Sequence, residues 1–133
     1  MLGAALIACG ALAATAGAGP GALPYCAGKL QVKPKEVIFT CADAGFSAGK
    51  LTWIGWGGKT AAAVGTASVN DCSPTCVAGH FHTYRIVLLA TGSQRCPGGR
   101  SAYTTVTYGF LGPSPFGPKD SGTTDPSYPY HCR

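Results

Sequence analysis

Two cysteines and two histidines that could bind a metal are concentrated in one short stretch of the chain. Cys72 and Cys76 are separated by three residues, and His80 and His82 follow with side chains on the same face of a predicted strand. Thiolate and imidazole groups are the ligands that tetrahedral Zn²⁺ prefers. In an oxidising compartment the same two thiols pair with each other. The compartment therefore decides between a zinc site and a turn closed by a disulfide.

Other catalytic constellations are poorly represented. A Cys–His nucleophile would require a reduced cysteine, and an even set of six cysteines in an exported chain argues against one. Glycoside hydrolysis usually needs two carboxylates across a cleft. Asp43 and Asp71 lie in turn sequences beside cysteines, where capping the backbone is their expected role. The remaining acidic residues are Glu36, Asp120 and Asp125. The chain is predicted not to be an enzyme and to need no cofactor, with a small hydrolase as an alternative.

Residues 1–18 have the composition of an export signal. Residues 2–16 form an uncharged apolar run, and small-x-small cleavage sequences such as Ala16-Gly17-Ala18 follow it, although no Lys or Arg precedes it. The run is shorter than the roughly 20 residues of a spanning helix, so no transmembrane segment is expected in the mature chain. An alternative is a lipobox, because Leu-Ile-Ala precedes Cys9, whose acylation would anchor the protein to the envelope.

The cysteine count agrees with export. The chain has 7 cysteines, and removal or acylation of Cys9 leaves an even set of six in a small domain. This is the usual setting for a disulfide framework. The sequence alone does not fix the connectivity, and our working hypothesis pairs Cys72 with Cys76, Cys41 with Cys96, and Cys26 with Cys132. In the chain-entropy model the first bridge contributes about 2 kcal/mol and the second about 4 kcal/mol.

The charge distribution does not indicate nucleic-acid binding. The chain of 133 residues has 10 Lys and Arg against 5 Asp and Glu, for a formal net charge of +5. The basic residues are scattered along the chain without a run, so specific nucleic-acid recognition is not expected. Weak attraction to anionic surfaces is compatible with this composition, and a basic stripe assembled by folding is the alternative.

Alternating apolar residues and frequent Gly/Pro turns predict an all-β fold. The predicted strands are residues 29–32, 35–42, 50–57, 59–69, 79–90 and 101–111. We expect a small disulfide-stabilised antiparallel β-sandwich, either immunoglobulin-like or a partly open barrel. The predicted organisation is a signal peptide (1–18), a flexible leader (19–25), the β domain (26–111) and a Pro/Gly-rich tail (112–133).

Aromatic residues suggest where a binding face would lie. Strand alternation places Trp53 and Trp56 on opposite faces, so one ring would fill the core while the other forms a solvent-facing platform for a saccharide or a protein. Burial of both rings is the alternative. The predicted binding face comprises Trp56, His80, His82 and Tyr84.

Several short motifs resemble those of a group of small exported actinobacterial proteins of uncharacterised function. The motifs are Phe-Thr-Cys41-Ala-Asp43, Leu-Thr-Trp53 with Trp56, Gly65-Thr-Ala67, and Asn70-Asp-Cys-Ser-Pro-Thr-Cys-Val-Ala-Gly79 with Tyr84. The likeness covers residues 26–111. It implies export and a compact disulfide-bonded domain, and it supplies no catalytic residues. Cys132 and the proline-rich tail lie outside the pattern.

The expected function is therefore non-covalent. We expect a secreted β domain that serves as a recognition or structural module at or outside the cell envelope. Its expected partners are a cell-wall glycan or another extracellular protein, and the sequence does not identify either. The alternatives are a structural lipoprotein anchored through Cys9 and a small hydrolase.

Overall fold

A computed structural model describes residues 19–115, 121–123 and 132. The predicted signal peptide and lipobox, including Cys9, lie outside the described residues. The strands are β1 (Leu23–Pro24), β2 (Leu30–Gln31), β3 (Val37–Ile38), β4 (Phe46–Ile54), β5 (Ala61–Asn70), β6 (Phe81–Thr91), β7 (Gln94–Arg95), β8 (Ser101–Ala102), β9 (Thr105–Phe110) and β10 (Ser121–Thr123). A single turn of 3₁₀ helix, η1 (Cys26–Gly28), joins β1 to β2.

One antiparallel sheet dominates the structure. Its strand order is β10-β9-β6-β5-β4-β3, and it curls into a half-barrel. Two short hairpins, β1-β2 and β7-β8, form separate two-stranded sheets. The described residues are nearly all β, so the prediction of an all-β antiparallel fold is confirmed, and the partly open form fits the curled sheet.

Strand β6 shows why the sheet buries one face. Ile86, Leu88 and Ala90 are buried, whereas Arg85 and Leu89 are exposed and Val87 is only partly buried. This period of two follows from the pleat of a strand. Burial of a side chain the size of Ile86 or Leu88 contributes roughly 2 kcal/mol, so β6 is held mainly by its concave face.

Small side chains allow the central strands to lie close beneath the core. Ala48, Ala63 and Ala67 are fully buried on β4 and β5. Larger residues then fill the concavity above them. The largest fully buried side chains are Tyr103, Ile86, Leu88, Val37, Val106 and Pro24.

The prediction of a flexible leader over residues 19–25 is wrong. Ala22, Leu23 and Pro24 are buried, and β1 pairs with β2 through Leu23 opposite Gln31. The backbone N–H of Tyr103 also donates to the Ala22 carbonyl at 2.9 Å. This segment is apolar, so it closes one end of the core instead of extending into solvent.

The predicted tail over residues 112–133 also contributes to the fold. Ser121–Thr123 forms β10, an edge strand that pairs with β9 through Gly122 opposite Tyr108. A three-residue strand needs no apolar pattern, because its register is set by backbone bonds to a neighbour. Residues 116–120 and 124–131 lie outside the described part of the chain.

Two of the three expected disulfides are wrong. The structure contains the expected Cys72–Cys76 bridge, but it joins Cys26 to Cys41 and Cys96 to Cys132. The strand expected over residues 35–42 ends at Ile38, and the chain then turns so that Cys41 approaches η1 with 5.7 Å between Cα atoms. Cys96 packs instead against Ala22 and Ala102, where Cys132 reaches it.

Candidate functional site

The loop that joins β5 to β6 is exposed and is held by a disulfide and several side-chain hydrogen bonds. We call residues 71–80 the pinned loop. All of its residues are exposed except Gly79, which is partly buried, and Val77 is fully exposed. The Cys72–Cys76 disulfide closes its first half. The loop also contains a cis peptide bond between Ser73 and Pro74.

Asn70, the last residue of β5, holds both cysteine positions through its side chain. The backbone N–H of Cys72 donates to Asn70 Oδ1 at 2.9 Å, and Asn70 Nδ2 donates to the Cys76 carbonyl at 2.7 Å. The Asn70 N–H in turn donates to the Gly45 carbonyl at 2.8 Å, which ties the residue to the turn before β4. One amide therefore fixes the disulfide-closed turn to the sheet.

Asp71 fixes the second half of the loop. Its Oδ1 accepts the backbone N–H of His80 at 2.9 Å and that of Ser73 at 3.0 Å. Its Oδ2 lies 2.9 Å from Nε2 of His82, which donates to it. The His80 N–H, the His82 ring and the Ser73 N–H, in that order, hold the pKa of Asp71 well below its usual range. The carboxylate is therefore ionised throughout the physiological pH range.

The contact between Asp71 and His82 orients the loop more than it stabilises the fold. The two side chains are 31% and 51% exposed, so solvent screens their electrostatic attraction. The directional hydrogen bond still fixes the imidazole against the carboxylate. His82 belongs to β6, so this bond joins the pinned loop to the sheet.

A cavity of about 290 Å³ lies beside the loop at the open end of the concave face. Val69 is largely buried at this site, and Asp71 and His82 contribute polar atoms to it. The Tyr84 ring is held edge-on against Phe110, with 5.9 Å between ring centroids. The lining residues are Val69, Asn70, Asp71, His82, Tyr84 and Pro115.

The structure brings together only part of the predicted binding face. His82 and Tyr84 line the cavity, and His80 is exposed next to them with its backbone N–H on Asp71. Trp56 follows β4 at the opposite end of the sheet, because Ile54 pairs with Ala62 while Phe46 pairs with Val69 beside the loop. Trp56 therefore does not belong to this site.

The prediction that one tryptophan forms a solvent-facing platform is also wrong. Trp53 and Trp56 are both partly buried against the core, with their ring centroids 4.8 Å apart in an edge-to-face contact. Strand β4 ends at Ile54, and Gly55 adopts a φ of +72°, so the strict alternation stops before Trp56. The indole N–H of Trp53 donates to the Pro34 carbonyl at 2.7 Å, which fixes its orientation.

Asn70 is the site residue that the sequence reasoning missed. An Asn-Asp pair directly before a Cys-Ser-Pro turn is a signal for side-chain bonds to backbone N–H groups two residues ahead. Both residues make such a bond, to Cys72 and Ser73 respectively. The turn-capping role expected for Asp71 is present in the structure.

The arrangement lacks the parts of the catalytic sites considered above. Cys72 and Cys76 are joined to each other, which removes both thiolates from the zinc alternative. Residues 19–115, 121–123 and 132 contain no group of three or more His, Cys, Asp or Glu side chains placed to hold a metal ion. Within the same residues, no hydroxyl or thiol is hydrogen-bonded to the His82 ring, as a triad nucleophile would be.

A larger depression of about 470 Å³ lies elsewhere on the surface. Apart from Tyr25, its lining comes from consecutive residues of one connection, 31–36. It is therefore a groove beside a single loop, and it lacks the convergence of groups from several elements that marks most ligand sites. The cavity at the pinned loop has that convergence, because β5, β6 and Pro115 all contribute to it.

These features define a small all-β domain cross-linked by three disulfides, which suits an oxidising environment. In the part of the chain that the structure describes, no helix is both long enough and apolar enough to cross a membrane. No protein-family model matches the chain, and no match is found among curated proteins or solved structures.

Proposed function

We propose that the protein is an exported, non-catalytic recognition domain that acts at or outside the cell envelope through its pinned loop. One observation carries this proposal: the loop is exposed along almost its whole length, yet a disulfide and the Asn70 and Asp71 side chains fix its backbone. Connecting loops are usually more mobile than the strands they join, and loops held by a rigid scaffold often carry binding residues.

Fixing a loop before binding favours affinity. A partner that ordered a mobile loop would lose about 0.5–1.5 kcal/mol for each side chain immobilised at the interface, besides the entropy of the backbone. The pinned loop is already ordered, even at Cys72, whose φ of +51° is unusual for a residue other than glycine. Asn70 accepts the Cys72 N–H and so holds this conformation.

The exposed side chains favour a protein partner over a glycan. Val77 is fully exposed at the loop and Phe81 is 55% exposed where β6 begins. The solvent-facing tryptophan expected to bind a saccharide is not present, because both tryptophans are packed against the core. Apolar groups displayed on a rigid loop are suited to a complementary apolar surface on a protein.

Two observations support export. Residues 2–16 have the composition of a signal sequence, and the described cysteines are all paired. A mass measurement on the mature protein distinguishes cleavage within residues 1–18 from acylation of Cys9. Acylation would make the protein an anchored lipoprotein and would leave the recognition role unchanged.

The test is binding of the disulfide-intact protein to cell-envelope fractions. Immobilised protein is incubated with detergent-solubilised envelope proteins and, separately, with insoluble cell-wall glycan. We expect retention of a protein partner, weakened by Val77→Ser and by the double substitution Cys72→Ser with Cys76→Ser. Val32→Ser is the matched control, because Val32 is 56% exposed and lies away from the loop.

Three results would contradict the proposal. Retention of glycan alone would assign a different partner class, and failure to retain anything would remove the recognition role. Turnover in a broad esterase and glycosidase panel, lost on Asp71→Asn, would show that the protein is an enzyme.

A further inference from the structure

Strand β6 is paired along nearly its full length on one side only. It pairs with β5 from Phe81 to Ala90, whereas β9 covers it only from Ile86 to Thr91. One further bond, from the Leu111 N–H to the Arg85 carbonyl at 3.0 Å, ends the contact with the β9 side. We call residues 81–84 of β6 the open edge.

The chain leaves the sheet at this point for local reasons. Gly112 has a φ of +121°, which is outside the strand region, and Pro113 has no N–H to continue the ladder. Pro115 then lies at the cavity with His82 and Tyr84. The partner strand therefore ends before it reaches the first half of β6.

The direction of the unpaired groups follows from the alternation of an antiparallel strand. The Arg85 carbonyl points toward the β9 side, so the N–H and C=O groups of Thr83 and Phe81 point the same way. The groups of His82 and Tyr84 point toward β5. Among the described residues, the backbone groups of Phe81 and Thr83 on this side have no hydrogen-bond partner.

The sequence of the open edge does not protect it from pairing with another strand. Natural edge strands are usually blocked by lysine, proline or a bulge. Residues 81–84 read Phe-His-Thr-Tyr, and their register with β5 runs without a shift. Phe81 is 55% exposed on the convex side, so the edge offers both backbone groups and apolar surface.

We propose that the open edge takes up an extended segment of a partner protein as an additional β-strand. This inference rests on the recognition role proposed above and names its partner as a polypeptide in extended conformation. Backbone bonds to Phe81 and Thr83 would supply sequence-independent affinity, as in other cases of strand addition. The pinned loop would flank one end of the added strand.

Side-chain selectivity comes from the concave side. Alternate residues of the added strand face the cavity of about 290 Å³, where Asp71, His82 and Tyr84 present polar atoms around Val69. A side chain that can form hydrogen bonds fits this lining better than a long aliphatic one, because the Asp71 carboxylate stays ionised there. The intervening residues of the added strand would lie on the convex side of the sheet, next to Phe81.

The experiment uses short linear peptides displayed on phage, selected against the whole disulfide-intact protein. Thr83→Pro removes the outward N–H without removing a bond to β5, and proline is tolerated where a strand N–H faces solvent. Thr83→Val keeps the N–H and changes only the side chain. We expect Thr83→Pro to weaken binding of the selected peptides about five- to tenfold, the loss of about one hydrogen bond. Thr83→Val should bind like the parent protein.

A second measurement is independent of folding effects in the proline variant. Amide hydrogen exchange of the parent protein should show unprotected Phe81 and Thr83 N–H groups, which gain protection when a selected peptide is added. Protection of the Val77 and Ala78 amides without change at Phe81 and Thr83 would overturn the inference while leaving the recognition role intact.

The remaining outcomes are equally decisive. Failure to select any linear peptide, while envelope proteins are still retained by the pinned loop, overturns strand addition alone. Failure of both selections overturns the proposed function. A stable dimer that Thr83→Pro converts to a monomer would show that the occupant is a second copy of this chain, against our proposal.

Discussion

His82 Nε2 donates to Asp71 Oδ2 across 2.9 Å, and the same carboxylate accepts the backbone N–H groups of His80 and Ser73 through its other oxygen. A single side chain thus joins two points of the pinned loop to β6. Its removal should loosen the loop without disturbing the core, because Asp71 lies outside the buried cluster.

Asp71→Asn should change how stability depends on pH. The pKa of Asp71 is depressed in the folded protein, chiefly by the His80 N–H, while an unfolded chain has an Asp pKa of about 3.9. Above that value the ionised carboxylate contributes its full stabilisation, which is lost progressively as the pH falls below about 4. Thermal unfolding midpoints of parent and variant should therefore differ at neutral pH and converge in acid.

Glu36→Gln is the control for this titration, because Glu36 is an exposed carboxylate far from the loop. A difference between parent and Asp71→Asn that stays constant from neutral pH to about pH 2 would show that the carboxylate is not held by these bonds.

Replacing each pair of cysteines by serine should show which bridge fixes the shape of the pinned loop and which bridges stabilise the whole fold. The bridges Cys72–Cys76, Cys26–Cys41 and Cys96–Cys132 have sequence separations of 4, 15 and 36. The chain-entropy model assigns them about 2, 3 and 4 kcal/mol respectively. Urea unfolding should follow this order, whereas binding to the selected partner should suffer most from loss of Cys72–Cys76. Equal losses of binding for all three pairs would contradict the role of the pinned loop.

Trp56→Ala should destabilise the fold and leave the binding loop unaffected. The indole contacts Tyr103 with 5.4 Å between ring centroids, and its N–H donates to the Gly21 carbonyl at 3.3 Å. Because the ring is only partly buried, we expect a loss of about 2–3 kcal/mol, below the range for a fully buried tryptophan. Urea unfolding measures the loss, and peptide binding of the folded variant should match the parent. Weaker binding at unchanged stability would restore Trp56 to the binding face.

Gly65→Ala should destabilise the centre of the sheet. A Cβ at Gly65 would overlap the Gly49 carbonyl oxygen and lie 2.8 Å from Leu51 Cδ2. Relief of such a contact requires a backbone shift, which costs roughly 1–3 kcal/mol. Gly49→Ala is the matched control, because a Cβ there meets nothing within 4 Å. Equal thermal midpoints for the two variants would show that the strands are not packed this closely.

The alternation of apolar residues was sufficient to predict β6 and the concave face that it buries. Ile86, Leu88 and Ala90 are spaced by two, and Val87 and Leu89 between them are more exposed. The same reasoning misplaced β4, which begins at Phe46, because residues 46–49 contain Ser, Ala and Gly and show little β propensity. Pairing with β5, through Phe46 opposite Val69, extends the strand there. Such pairing is long-range information that a local pattern does not contain.

The site was predicted only where local chemistry determined it. The Cys72–Cys76 turn and the capping role of Asp71 follow from residues that are neighbours in sequence. The Cys26–Cys41 bridge and the packing of Trp56 depend instead on how η1, β4 and Gly21 meet in three dimensions. The open edge depends on where β9 ends relative to β6, which only the register shows.

The edge-to-face contact between Trp53 and Trp56 has an optical consequence. These are the 2 tryptophans of the whole chain, and their ring centroids lie 4.8 Å apart at the end of the sheet opposite the pinned loop. Two coupled indole transitions at this distance should give an exciton couplet in far-ultraviolet circular dichroism, where the strongest indole band lies. Tryptophan emission should therefore report unfolding of the end of the sheet that contains Trp53 and Trp56. It should not change when a partner binds at the pinned loop.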